Sequence, residues 1–180
     1  MSSMPKQVEP VAILFQDDGE TPNNPVLPLI LYRAAVDVSG TDPAAAFERL
    51  FAQNGWADGW RNGSFAVRPF HPAGPEGLGI ARGTARVEFG GAGGQEIDLA
   101  PGDVAIRSAG CGHRRVSGSR DLLVVGAYPR GSSAHHSMSG AADLAAARVA
   151  IARTPLPAAD PAYGKDGPLI GLWQMKTCTT

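Results

Sequence analysis

The sequence predicts an all-β protein, either a sandwich or a barrel, and three observations support this prediction. The 180 residues include 23 glycines and 15 prolines, a composition that suits frequent tight turns. Beyond Trp56 the apolar residues recur with a period of two, as strands require. Turn-forming stretches separate seven short predicted strands: Ser64–His71, Gly77–Ala81, Thr84–Phe89, Glu96–Leu99, Val104–Arg107, Arg114–Ser117 and Leu122–Tyr128.

The segment Thr84–Phe89 illustrates the strand pattern. Ala85, Val87 and Phe89 lie on one face of an extended chain, and the polar residues between them lie on the other. This alternation is typical of an antiparallel strand with one buried face. The glycine-rich stretch Gly90–Gly94 that follows lacks the lysine and the helix of a phosphate loop, so we interpret it as a hairpin turn.

Two further strands are predicted before Trp56. Val11–Phe15 is short and apolar, and Asp17, Asp18 and Gly19 turn the chain after it. Leu27–Tyr32 is also apolar, but Pro28 cannot donate a backbone hydrogen bond. We therefore expect Leu27–Tyr32 to be an edge strand.

The clearest helix is predicted at Asp42–Asn54. Asp42 can cap its start, Pro43 suits its first position, and Gly55 suits the position after its end. Its apolar residues fall on one face, so we expect the helix to cover one side of a sheet.

A second helix is predicted at Ala141–Arg153, with Ser139 as its cap. The remaining tail is rich in proline and glycine and is expected to be irregular. Its apolar side chains should dock it onto the body of the protein, namely Leu169, Ile170, Leu172 and Trp173.

Composition narrows the function classes. Hydrophobic residues make up 43% and charged residues 18%, which indicates a globular chain, and residues 1–180 are expected to form one domain. The net charge of -1, without a basic run, argues against nucleic acid or a membrane as a partner. Residues 1–10 resemble no secretory signal, and Cys111 and Cys178 form no disulfide framework. We therefore expect a cytoplasmic protein.

His71, Glu76 and His113 form the candidate site. The stiff turn at 72–75 separates His71 from Glu76 and could aim both side chains into the mouth of a barrel, where His113 would join them. Two histidines and one carboxylate are a facial triad for a divalent metal. An incomplete shell would leave positions open for water or substrate. Fe, Mn, Ni and Zn are all compatible with this ligand set.

Two stretches of the chain, one around His71 and Glu76 and one that ends near His113, resemble the two motifs of the cupin superfamily. The positions that match the first motif are Gly63, His71, Glu76 and Gly83, and those that match the second are Gly102, Gly110 and His113. Three positions depart from the motifs: Pro69 replaces a histidine, Ser108 a proline and Ser117 an asparagine. The resemblance implies a double-stranded β-helix, a jelly-roll barrel, with one or two flanking helices and a metal inside.

A narrower resemblance covers nearly the whole chain. The chain is similar to the YjlB-like group of bacterial cupins in the segments FQDDGETPNNPVLPLILY, NGWADGWRNG, LLVVGAYP and TPLPAADPAYGKDGPL. The barrel core is then expected at about residues 56–130, with the N-terminal strands, the helices and the tail packed on it. The group brings no settled activity, so this resemblance implies no particular reaction.

Two functions remain open at this point. The intact triad favours a metal-dependent enzyme that acts on a small polar molecule, whereas Pro69 favours a non-catalytic small-molecule-binding or structural module that has lost its metal. Since sheets leave edges that need cover, a homodimer with Leu27–Tyr32 in its interface is also expected.

Other polar residues are weaker candidates for the site. Cys111 could be a metal ligand, but we favour packing for it. Arg68 and Arg115 could hold an anionic ligand, although a surface position is favoured for each, and His135 and His136 are interpreted as solvated.

Overall fold

The structure is a computed structural model that describes residues 4–62, 70–132 and 143–177. Nine strands and three helices are present within these ranges. The strands are β1 Val11–Ile13, β2 Leu29–Tyr32, β3 Trp56–Asn62, β4 Glu76–Arg82, β5 Ala85–Phe89, β6 Gln95–Leu99, β7 Val104–Arg107, β8 His113–Gly118 and β9 Leu123–Pro129. The helices are α1 Pro43–Gln53, α2 Leu144–Arg153 and α3 Pro168–Thr177.

The strands form two antiparallel sheets whose inner faces pack on each other. The larger sheet has six strands in the order β1-β2-β7-β4-β9-β3, and the smaller has three in the order β6-β5-β8. Leu78 and Val124 of the larger sheet pack in one buried cluster with Val87 and Phe89 of the smaller. This architecture is a jelly-roll β-barrel with flanking helices, and the all-β prediction is confirmed.

The outer face of the six-stranded sheet is covered by helices. Helix α1 begins where predicted, since the Asp42 side chain accepts a hydrogen bond from the Ala45 amide at 3.2 Å. Phe47 of this helix lies directly over Gly79 of β4, where an added Cβ would come within 2.2 Å of the phenyl ring. The absence of a side chain at Gly79 therefore lets α1 pack closely on the sheet.

The edge position predicted for Leu27–Tyr32 is wrong. Strand β2 lies between β1 and β7, so its residues are paired on both sides. Leu29 and Leu31 face the inter-sheet cluster, and Ile30 and Tyr32 face the helices. The apolar run thus reflects burial on both faces, and Pro28 precedes the first paired residue. Each of the four β2 side chains is at most 2% exposed within one chain, so β2 leaves little surface for the dimer interface expected there.

Strand β3 was missing from the predicted strands. Asp58 and Gly59 look like a turn, but they lie inside the strand at an irregularity between Ala57 and Trp60 in its pairing with β9. Asp58 has a φ of 51° there. A β-bulge interrupts the two-residue alternation on which the prediction depended.

The C-terminal tail contains a third helix. The tail had been expected to be irregular, and one or two helices had been expected in all. Helix α3 begins at Pro168, a residue suited to the first helical position. Leu169 and Trp173 are 0% and 2% exposed, and the Trp173 indole donates a hydrogen bond to the Pro28 carbonyl at 3.0 Å. Ile170 and Leu172 pack partly buried against the same core. Docking of the tail through its apolar side chains is therefore confirmed.

The second predicted helix is present but begins later. Asp143 stands at the N-cap of α2, and its side chain makes no capping hydrogen bond. The predicted cap Ser139 lies outside the described residues. The two N-terminal strands belong to the six-stranded sheet, so that sheet extends beyond the segment 56–130 that was expected to form the core.

Candidate functional site

The candidate site lies at one end of the barrel interior. Glu76 is the first residue of β4, Arg107 is the last of β7, and His113 is the first of β8. Strands β4 and β7 are antiparallel, so the beginning of one lies beside the end of the other. His71 precedes β4 in the chain, and Tyr128 lies near the end of β9. Five polar side chains are thereby gathered at one end of the two sheets.

Glu76 faces inward because of its register in β4. Leu78 and Ile80 lie on the same face of the strand as Glu76, and both belong to the core between the sheets. On β7, Ala105 belongs to the same core and shares its face with Arg107. Glu76 and Arg107 are register partners across the two strands. Their side chains therefore extend side by side into the barrel.

A buried ion pair joins these two residues. Nε and Nη2 of Arg107 contact Oε2 of Glu76 at 2.7 Å and 2.5 Å. Nη1 of the same guanidinium donates to the Cys111 carbonyl at 3.1 Å. The Arg107 side chain is 0% exposed and that of Glu76 is 2% exposed. Every nitrogen of the guanidinium therefore has a hydrogen-bond acceptor, and the buried carboxylate has a compensating cation.

The second oxygen of Glu76 is bound from β3 and β9. The Trp60 indole donates to Oε1 at 3.2 Å, and the Tyr128 hydroxyl also hydrogen-bonds to the carboxylate. Trp60 reaches this position across Gly126, where an added Cβ would lie 2.2 Å from the indole ring. A side chain at position 126 would displace the ring, so this glycine positions Trp60 at the site.

Both predicted histidines lie beside this carboxylate. The rings of His71 and His113 are 6.3 Å apart between centroids and nearly parallel, at 23°. The His71 ring is also 6.3 Å from that of Tyr128, at 63°. The backbone holds His71 in place, because its carbonyl accepts a hydrogen bond from the Gly110 amide at 2.8 Å. His71 and His113 are 8% and 6% exposed, so solvent hardly reaches them.

The protonation states follow from burial and from the charge of Arg107. Burial alone would raise the pKa of Glu76, but the Arg107 guanidinium beside it lowers the pKa to about 2. Burial, and then the charge of Arg107, lower the pKa of His113 to about 3. Burial and the Glu76 charge raise the pKa of the Tyr128 phenol. At neutral pH the site therefore contains an ionised carboxylate, a neutral His113 imidazole and a neutral phenol.

This arrangement does not fit a divalent metal ion. The two histidines and the ionised carboxylate are suitable ligands by type, but both carboxylate oxygens already accept hydrogen bonds. The Arg107 guanidinium would also repel a second cation at this place. Across residues 4–62, 70–132 and 143–177, no three His, Cys, Asp or Glu side chains form a group that could hold a metal ion.

Comparison with known proteins places the chain in a family. No family model matches it. The chain is 35% identical over 159 residues to "Uncharacterized protein YjlB" of Bacillus subtilis (strain 168), a match that covers 88% of this chain and 93% of YjlB. The chain belongs to the YjlB-like group. The narrower resemblance, which covers nearly the whole chain, is thus confirmed.

A solved structure of a cupin 2 domain-containing protein from Halorhodospira halophila is also similar. That match covers 87% of this chain and 86% of the other, at 11% identity and a TM-score of 0.35. In the part of this YjlB-like protein that the structure describes, no helix is long and apolar enough to cross a membrane.

The other candidates from the sequence have different outcomes. Cys111 is 2% exposed in the barrel core, and burial raises the pKa of its thiol to about 11, so its packing role is confirmed. Arg115 is exposed, as favoured. Gly90–Gly94 joins β5 to β6 as the expected hairpin turn. Arg68, Pro69, His135 and His136 lie outside the described residues.

Sequence reasoning missed Arg107, Trp60 and Tyr128. A signal for Arg107 was present, since it shares a strand face with the apolar Ala105 and a charge on that face requires a partner. Glu76 is this partner only because β4 and β7 pair in a particular register, and the two residues are 31 positions apart in the chain. Trp60 belongs to the unpredicted strand β3, in which an irregularity between Ala57 and Trp60 interrupts the alternation of a regular strand.

Proposed function

We propose that this YjlB-like cupin binds a small polar molecule at its barrel end without a divalent metal. The observation that supports the proposal is the hydrogen bonding of Glu76, whose oxygens accept from Arg107, Trp60 and Tyr128. Glu76 is the only anion of the predicted triad. Its attraction for a metal is offset by a guanidinium that is completely buried.

The chemistry of the site suggests the class of ligand. The Arg107–Glu76 pair has no net charge, and the pKa shifts leave His113 and Tyr128 neutral at pH 7. Imidazole and phenol groups both donate and accept hydrogen bonds, and their ring faces contact apolar carbon. A small uncharged molecule with hydroxyl or carbonyl groups fits this set better than an anion or a cation does.

The test has two parts and uses protein without a histidine tag. The first measures the metal content of protein purified without a chelator, and we expect well below one ion per chain. The second screens small molecules by ligand-observed NMR, with neutral polyols and carbonyl compounds set against carboxylates and amines. A hit should be lost in His71→Ala and kept in Arg115→Ala, which changes an exposed residue. Binding that survives His71→Ala, or that is confined to charged compounds, would contradict the proposal.

The second candidate function is a metal-dependent enzyme with His71, Glu76 and His113 as ligands. It is favoured by the protonation states, because Glu76 is ionised and His113 is neutral, as metal ligands must be. The same metal analysis tests it. One bound ion per chain, lost in Glu76→Gln, would support this function and exclude the metal-free site.

A further inference from the structure

We propose that the guanidinium of Arg107 takes the place of a divalent cation, and that shortening this side chain creates a metal site at His71, Glu76 and His113. The inference rests on the proposed metal-free function. Arg107 is not a member of the predicted triad, yet it controls whether this end of the barrel accepts a metal.

The charge of Arg107 lies directly against the Glu76 carboxylate. The guanidinium contacts Oε2 of Glu76 through two nitrogens, at 2.7 Å and 2.5 Å. An ion held by Glu76 would have to occupy this side of the carboxylate, since Trp60 donates to the other oxygen. The positive charge of Arg107 therefore occupies the place where an ion held by Glu76 would lie.

The buried charges of Glu76 and Arg107 depend on each other. A carboxylate that is 2% exposed needs a compensating cation, and a guanidinium that is 0% exposed needs an anion. Each residue satisfies the other because the register of β4 and β7 makes them partners. Removing the arginine head group would leave the carboxylate buried and uncompensated. Glu76 would then have to bind a proton or another cation.

His71, His113 and Glu76 remain as potential metal ligands when the Arg107 side chain is shortened. His71 and His113 present nearly parallel rings 6.3 Å apart beside the carboxylate. A neutral imidazole nitrogen is a good donor to divalent transition metals, and an ionised carboxylate supplies charge. Among the described residues these three side chains are not grouped for a metal as they stand. In the variant they must therefore turn into the volume that the arginine head group leaves, which can admit an ion and its remaining waters. The variant should therefore favour a transition metal over a proton at neutral pH.

The experiment compares four untagged proteins: wild type, Arg107→Ala, Arg107→Lys and the double variant Arg107→Ala/Glu76→Gln. Each is titrated with Co²⁺, whose visible absorption reports nitrogen and oxygen coordination, and bound cobalt is counted after desalting. We expect Arg107→Ala to bind one Co²⁺ per chain at least about 100-fold more tightly than wild type, because repulsion by the guanidinium is removed. Arg107→Lys keeps the positive charge and should stay close to wild type. The double variant should lose at least about tenfold of the gained affinity.

Each outcome has a defined meaning. Arg107→Ala that binds no more tightly than wild type, or as tightly as the double variant, overturns the inference. If wild type itself binds one Co²⁺ as tightly as Arg107→Ala, both the inference and the proposed function are wrong. If the ligand screen fails while only Arg107→Ala binds cobalt, the ligand proposal alone is wrong.

A folding defect would also be informative. Arg107→Met keeps most of the aliphatic volume of the side chain and provides a second variant for the titration. If both variants unfold without metal, refolding in Co²⁺ with recovery of the β-sheet circular dichroism supports the inference. Failure of cobalt to restore folding in either variant overturns it.

Discussion

Arg107 and Glu76 are register partners on adjacent antiparallel strands, and their charged groups meet inside the barrel with Nε and Oε2 2.7 Å apart. The pair lies at the point where the family resemblance leads one to expect a metal. Its energetics therefore bear on both the stability and the function of this YjlB-like protein.

Loss of Arg107 should strongly destabilise the metal-free protein. Arg107→Met leaves the Glu76 carboxylate buried without a counter-charge, and we expect the free energy of unfolding to fall by about 3–5 kcal/mol. Adding Glu76→Gln removes the stranded charge and should restore much of the loss. Urea denaturation of both single variants and the double variant measures the coupling. Additive effects of the two substitutions would contradict a direct interaction.

His113 should make stability depend on pH. Its pKa is 6.5 when unperturbed and about 3 in the folded protein, so between these values the unfolded chain binds the additional proton. The free energy of unfolding should therefore decrease as the pH falls below 6.5, by up to about 1.4 kcal/mol per pH unit.

The variant His113→Asn isolates this effect. We expect a flatter dependence of its unfolding free energy between pH 6.5 and about 5.5, above the range in which Glu76 titrates in either state. The slope is the readout, so an overall loss of stability in the variant does not obscure the result. Equal slopes for the variant and wild type would show that His113 is not held neutral by the fold.

Gly126→Ala should disturb the site through Trp60. The new methyl group would lie 2.2 Å from the indole ring, and we expect a loss of about 1–3 kcal/mol together with a shift in tryptophan fluorescence. Gly171→Ala is the matched control, because an added Cβ on this α3 residue meets no atom within 4 Å. That substitution should leave stability unchanged or raise it by up to about 1 kcal/mol. Similar behaviour of the two variants would contradict the close approach of Trp60.

Tyr32→Phe should weaken the attachment of α3. The Tyr32 hydroxyl donates to Asp160 and accepts from the Leu169 amide at 3.1 Å, all within the core. Its removal leaves buried groups without their partner and should cost about 1–3 kcal/mol. Tyr163→Phe provides the comparison, since the Tyr163 hydroxyl donates to the Lys6 carbonyl at a partly exposed position. Thermal unfolding should rank Tyr32→Phe as the less stable variant, and the reverse order would be inconsistent with this attachment.

A homodimer stays a prediction, but the exposed edge strand β1 replaces Leu27–Tyr32 as the reason to expect it. The segment Leu27–Tyr32 is covered by its own chain, whereas β1 forms one edge of the six-stranded sheet and Val11 within it is 44% exposed. An exposed edge strand can pair with another chain. Light scattering at micromolar concentration should give twice the mass of one chain, and a monomer would exclude the dimer.

Local patterns in the sequence were enough for much of the fold. The alternation in Thr84–Phe89 identified β5, and Asp42 with Pro43 located the beginning of α1. Each of these features depends on residues a few positions apart, so it can be seen in the linear chain. The same holds for the motifs that singled out His71, Glu76 and His113.

Tertiary structure alone decided what surrounds those residues. Whether Leu27–Tyr32 lies at an edge or inside a sheet depends on which strands flank it, and β1 and β7 come from opposite sides of it in the sequence. Whether Glu76 meets a metal or Arg107 depends on the register between β4 and β7. Strand order and register are set by packing between distant segments, and a shift of one residue reverses the face of every side chain. The sequence by itself therefore determined which residues form the candidate site, whereas the register between distant strands decided that an arginine neutralises its only carboxylate.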